Sequence, residues 1–423
     1  MCSADLCNQS FTFLIVSISS RRCGGAALLQ PDREVQVDAL RGVAAMCVVA
    51  EHAFVSMKPQ TVGMFSGPFE TQELLQWLTH VVFSGRAAVL LFFVISGYAM
   101  KLQWDRQSGD LVPRYFAFLT RRAFRILPAM WAAIITAWII GWAFSLPLDL
   151  SLKTFWQSLA AQSHALNAPL WSIIVEIHCS IALPFVIVLH KRISAIGHAA
   201  VFIALLAHLY VTGPLSTGFL VFFYCGVLLH DYGSKALDRM GRGAVPIGIG
   251  ALFAYCIIPQ LWVFPNRFLH PGDVSLYIFL EIIPATIILM LVAGRRVAIV
   301  DRALNTRPLA FLGAISYSIY LLNWPITQAW WTSFLQTASP FWDLYYLVQV
   351  AFFIGIASIN ILAAWLLYRS VELPLNRLGR TVADHVEYHS NQWLSPNPPA
   401  LEKPPKSNRQ ISALKNTLPT LSR

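Results

Sequence analysis

Long apolar runs, separated by short polar stretches, organise this chain, and the runs have the length of membrane spans. Ten segments can be drawn, at about 39–57, 79–100, 127–147, 169–189, 198–213, 215–230, 245–264, 274–293, 309–333 and 344–368. Roughly 20 apolar residues cross a bilayer core as a helix. The pattern therefore predicts an all-α integral membrane protein with about ten transmembrane helices. The fifth and sixth segments are short and meet at Gly213-Pro214, which predicts a tilted, broken or partly re-entrant pair. No internal repeat marks the inverted plan of many transporters.

Charge gives the map an orientation. The alternate connections 101–126, 190–197, 231–244 and 294–308 hold fifteen Lys and Arg, whereas the others hold only Lys58, Lys153 and Arg267. By the positive-inside rule both termini are expected to be cytoplasmic. Residues 1–34 read as an irregular cytoplasmic leader. Its apolar stretch, Phe11 to Ile18, is too short to span, and Arg21 and Arg22 follow it, the wrong order for a signal peptide. Residues 35–380 form the expected membrane domain, and 381–423 a basic, proline-rich cytoplasmic tail expected to be disordered.

Composition agrees and excludes other classes. Of the 423 residues 56% are hydrophobic and only 12% charged, whereas soluble proteins carry about a quarter charged residues. The mean hydropathy of +0.57 excludes disorder over the whole chain. The net charge of +10 would suggest nucleic acid in a soluble protein, but loop topology accounts for it here, and no nucleic-acid partner is expected. The seven cysteines are scattered and form no CxxC, so neither a disulfide framework nor a metal site is predicted.

Polar residues inside spans are costly and mark candidate chemistry. In the first span Arg41 and His52 are separated by 11 residues, about 1100° of helix, so they differ by only ~20° and lie ~16 Å apart along one face. Asp38 stands one turn below Arg41 and can neutralise it, and Glu51 adds an ionisable group beside His52. In the second span Arg86 lies near the outer end, able to snorkel or face an acceptor. Ser96 and Gly97 there permit close helix packing. In the fourth, Ser172 and Glu176 share a face, with Glu176 either functional or a partner for Arg41 or Arg86. The stretch Arg114 to Pro128 carries Arg121, Arg122 and Arg125, a topology and headgroup signal or a clamp for a phosphorylated ligand. In the ninth, Ser316, Tyr320 and Asn323 line one stripe suited to interhelical hydrogen bonding.

Taken in order, several of these blocks resemble the acyltransferase-3 family of multispan membrane proteins, which O-acylate sugars and related acceptors. They are Asp38-Ala39-Leu40-Arg41-Gly42 with an Arg-x10-His ending at His52, Phe92-Phe93-Val94-Ile95-Ser96-Gly97, Arg121-Arg122 with Arg125-Ile126-Leu127-Pro128, Pro169-Leu170-Trp171-Ser172 with Glu176, Ser316-Tyr317-Ser318-Ile319-Tyr320-Leu321, and Glu372 with Pro374. The resemblance runs from about Val37 to Arg380 and implies that Arg41 and His52 are the family's essential pair. It further implies a multi-pass protein of the cytoplasmic (inner) membrane, a cytosolic acyl-CoA donor, acetyl-CoA by default, and an extracytoplasmic glycan or glycolipid acceptor. No permanently bound cofactor is expected. The chain departs from the family pattern at Asn323, where a His is frequent, and at Ile177, where a second acidic residue is frequent.

Acyl transfer from a thioester to a hydroxyl needs a base for the hydroxyl and stabilisation of a developing oxyanion. His52 is the candidate base, oriented by Glu51 or Glu176. Arg41 is expected to bind the donor, with Arg121, Arg122 and Arg125 as further phosphate contacts. Arg86, Ser172, Tyr320 and Asn323 are the candidate substrate-binding residues. Composition leaves two other classes open: an exporter or permease that uses the buried charges as a proton relay, and an assembly component of a polysaccharide machine.

Overall fold

The computed structural model describes residues 34–56, 79, 81–212, 216–261, 274–338 and 345–394. The expected leader, the Gly213-Pro214 junction and the tail after 394 lie outside these. Among the described residues the protein is helical and contains no strand. In chain order the helices are α1 (Val35–Ser56), α2 (Gly85–Asp105), α3 (Leu111–Ala143), α4 (Leu152–Leu159), α5 (Leu170–His190), α6 (Ala195–Thr212), α7 (Leu220–Met240), α8 (Ala244–Leu261), α9 (Val274–Ala293), α10 (Ala298–Leu304), α11 (Arg307–Ala338), α12 (Tyr345–Leu367) and α13 (Leu373–Leu394).

Each of the ten predicted segments overlaps one of these helices. By length and composition, however, six helices qualify as membrane spans, or seven if α9 and α10, bent by 80° at a short break, form one. Three differences take ten to seven, and the count falls to six when α9 and α10 are not taken as one span. α1 does not qualify, α6 is a shorter apolar helix, and α7 with α8 counts as one stretch, Thr217–Pro259. Exposed apolar side chains recur at helical spacing on outward faces: Trp131, Ile135, Ile139 and Trp142 on α3, and Ile181, Phe185 and Leu189 on α5. A water-facing surface would not tolerate such stripes, whereas lipid tails solvate them.

α1 is the central strut, packed along α11 and against α2 and α12. Its crossing with α11 depends on two glycines that meet: a Cβ on Gly42 would stand 2.6 Å from the backbone nitrogen of Gly313, and one on Gly313 would strike the Asp38 carbonyl. A second small-residue crossing joins α2 to α7, where Gly97 abuts the Phe223 backbone and Gly226 abuts Val94. Gly97 thus does what the sequence suggested. Ser96, beside it, spends its hydroxyl on Glu176, 3.2 Å away.

The end of the chain departs from expectation. α12 runs through a wide turn, Tyr368–Glu372, into α13, which continues past the boundary expected at 380 and reaches Leu394. The first part of the presumed disordered tail is therefore an amphipathic helix, docked along α3. It lies close because Gly379 offers no side chain: a Cβ there would overlap the ring of Phe124.

Candidate functional site

Two cavities flank α1, one toward each end, and the eleven-residue spacing seen in the sequence separates them. The smaller, about 260 Å³, is lined by Glu51, His52, Gly85, Arg86, Trp171 and Tyr320 with Val48, Val89, Ala168 and Pro169. The larger, about 640 Å³, is lined by Arg41 and by residues of α2, α3 and α13. Because α1 and α2 are antiparallel neighbours, Gly85 and Arg86 fall at the His52 end, and Tyr98 to Ser108 at the Arg41 end.

At the His52 end a chain of hydrogen bonds fixes the imidazole. Asn323 donates through Nδ2 to the Tyr320 carbonyl. Its amide oxygen is thereby turned toward His52 and meets Nδ1. A carbonyl oxygen can only accept, so Nδ1 carries the proton and Nε2 is the ring's basic nitrogen. Trp324 packs its ring against the imidazole at 5.0 Å and 77°, restricting ring rotation. One turn back on α11, the Tyr320 hydroxyl lies 2.7 Å from Ser172 Oγ, and Ser172 donates to the Pro169 carbonyl at 3.0 Å.

Charges frame the same cavity. Glu51 accepts the first backbone N–H of α2, from Gly85. That N–H belongs to a helix N-terminus, where a carboxylate is favoured. Arg86 is paired with Glu281 of α9, a carboxylate only 2% exposed whose second oxygen has no hydrogen-bond partner. Glu281 escaped the sequence reading, although a lone carboxylate in the apolar run of α9 was itself a signal.

At the other end guanidinium groups dominate. The larger cavity is lined by seven arginines and five carboxylates. Arg41, Arg106, Arg121, Arg122 and Arg125 come from α1 to α3, and Arg377 and Arg380 from α13. Arg41 lies 3.8 Å from Asp38, the neutralising pair the sequence suggested. Arg122 is buried, bound to Glu176 and, through Nε, to Ser180 at 3.3 Å. Arg121 is held by Asp384 at 2.7 Å and Glu387 at 3.3 Å.

This arrangement corrects one assignment. Glu176 does not orient His52, because its carboxylate is committed to Arg122 and Ser96 at the arginine end; the orienting group is Asn323. Glu51 shares the cavity with His52, as expected, and Arg86 and Tyr320 line it too, while Ser172 stands behind Tyr320 as its hydrogen-bond partner. Arg41, Arg121, Arg122 and Arg125 meet in the other cavity. Away from both, Asp105, His230 and Asp231 present ligand atoms close enough together for a metal ion. Buried Lys101 already bridges the two carboxylates, and Lys191 takes Asp105 at 2.9 Å, so ammonium groups meet their charge.

A helical membrane protein with a half-buried, hydrogen-bonded imidazole at one end of α1 and an arginine-lined cavity at the other presents a candidate base and a candidate anion site on one helix. The chain belongs to the acyltransferase-3 family, described as an acyltransferase domain, which matches residues 34–369, and it is a multi-pass membrane acyltransferase. No curated protein and no solved structure matches it.

Proposed function

We propose that this protein transfers an acyl group, acetyl by default, from acyl-CoA on the cytosolic side to a hydroxyl of an extracytoplasmic carbohydrate or glycolipid. In this reading both termini are cytoplasmic, the host is the cytoplasmic membrane, and the arginine cavity faces the cytosol. The observation that carries it is the fixed tautomer of His52: the Asn323 amide oxygen accepts the hydrogen bond from Nδ1–H and leaves Nε2 as the basic nitrogen.

The acceptor hydroxyl enters the smaller cavity and gives its proton to Nε2 as its oxygen attacks the thioester carbon. The C–S bond breaks, CoA leaves as a thiolate that takes up a proton, and the ester forms on the acceptor. Arg86 and Tyr320 line the cavity and are the groups placed to steady the developing oxyanion or to position the acceptor, with Ser172 holding the Tyr320 hydroxyl from behind. Arg41, Arg122 and Arg125 attract the phosphates of CoA, since a planar guanidinium matches phosphate oxygens in pairs. The ~16 Å between Arg41 and His52 along α1 is a distance an extended thioester arm can cover.

The test uses membrane vesicles that carry wild-type or His52→Ala protein at matched levels, with acyl-labelled acetyl-CoA and the host's envelope glycans. Alkali-labile label in the glycan fraction with wild type and none with the variant is expected. Proton-gradient-dependent movement of an unmodified solute, without ester formation, would instead identify a permease.

A further inference from the structure

α13 begins after the last residue that the family match covers, yet it supplies a whole wall of the arginine cavity. Leu373, Asn376, Arg377, Arg380, Asp384 and Glu387 all line it. Their spacing of three and four puts them on one helical face. An adjoining side is anchored, for Ala383 is fully buried and Gly379 lies against Phe124. The wall is therefore fixed in place by packing on α3.

Its charges are ordered along the axis. Arg377 and Arg380 come first, and Asp384 and Glu387 follow one and two turns later. The two carboxylates hold Arg121, the guanidinium that α3 offers to the cavity. An anion seated among the arginines meets two attractive groups from α13 and competes with two of its carboxylates for Arg121.

We infer that α13 is a working part of the phosphate-binding site: Arg377 and Arg380 bind phosphate, and Asp384 with Glu387 weaken binding by holding Arg121. The inference rests on reading the arginine cavity as the donor site. Its content beyond that reading is a sign pattern, since substitutions on one face of one helix have opposite effects on affinity.

The test measures CoA binding by the full chain in phosphatidylcholine nanodiscs, with thermal melting of each variant as a check on folding. Arg377→Gln/Arg380→Gln is expected to raise Kd about tenfold or more and to flatten its salt dependence. Asp384→Asn/Glu387→Gln is expected to lower Kd about threefold, the scale of a partly exposed ion pair. Arg125→Gln serves as the control for the cavity itself. If it weakens binding while the α13 variants match wild type, the inference about α13 fails and the donor site stands. If wild type does not bind CoA, both fail. Repeating the measurement with phosphatidylglycerol in the nanodisc separates two sources of phosphate. If that lipid weakens CoA binding by wild type but not by Arg377→Gln/Arg380→Gln, the α13 arginines hold a lipid headgroup, and the assignment to the donor is overturned.

Discussion

The two ends of α1 solve opposite problems with the same helix. At the His52 end polar groups are few and each is positioned by a neutral or singly charged neighbour: Asn323 on His52, Ser172 on Tyr320, Glu281 on Arg86. At the Arg41 end charges crowd together, seven guanidinium groups among five carboxylates, and some pairs reach solvent. The first arrangement suits chemistry, where one proton must sit on one atom. The second suits capture of a multiply charged ligand, where total charge counts for more than the exact position of any group. Substitutions at the two ends should therefore fail in different ways.

The largest effect on stability is expected at the arginine end. Arg122→Gln removes the partner of Glu176 in a buried pair and should cost about 3–5 kcal/mol of folding free energy. Arg122→Gln/Glu176→Gln should recover much of that loss. Thermal melting in detergent reads both, and a single variant that melts like wild type would show that the pair is unimportant.

Asn323→Ala frees the His52 tautomer and should lower turnover about ten- to a hundredfold with CoA affinity unchanged. Kinetics that show a raised KM with unchanged kcat would instead assign Asn323 to binding. Glu281→Gln keeps the shape but removes the charge opposite Arg86. Turnover should fall about tenfold, and Glu281→Asp should recover part of it. A purely structural role would show as a lowered melting temperature without that recovery.

The smallest effect on turnover is expected where the two ends are mechanically joined. A methyl added at Gly42 presses on the Gly313 backbone and should cost about 1–3 kcal/mol, read as a lower melting temperature. Activity at low temperature should be retained. Loss of activity without loss of stability would mean that this crossing does more than hold α1 in place.

How much of this was legible in the sequence follows from what local spacing can carry. Arg41 and His52 stood out because eleven residues on one helix fix a face and a distance without knowledge of any other element. The helical class and the apolar segments were legible for the same reason. Long-range pairs were not. Glu281 finds Arg86 across 195 residues, and Glu176 finds Arg122 across 54, and no periodicity encodes either. Glu176 was therefore singled out correctly as an intramembrane carboxylate but given the wrong neighbour. Asn323 read both as a departure from the family's histidine and as part of a stripe suited to interhelical hydrogen bonding; the fold bears out the second, and the partner it finds, His52, was not legible. α13 was hidden by composition: the proline-rich stretch after it made the whole tail look irregular, although its own charges repeat at helical spacing.

The separation of capture from chemistry is tested most directly with His52→Ala in nanodiscs, with CoA binding and acyl transfer measured on the same preparation. CoA is expected to bind within about twofold of wild type while transfer falls by roughly 10²-fold or more. Transfer at the wild-type rate would remove His52 from the chemistry. Loss of CoA binding together with transfer, in a protein that still melts normally, would show that the two ends are one site.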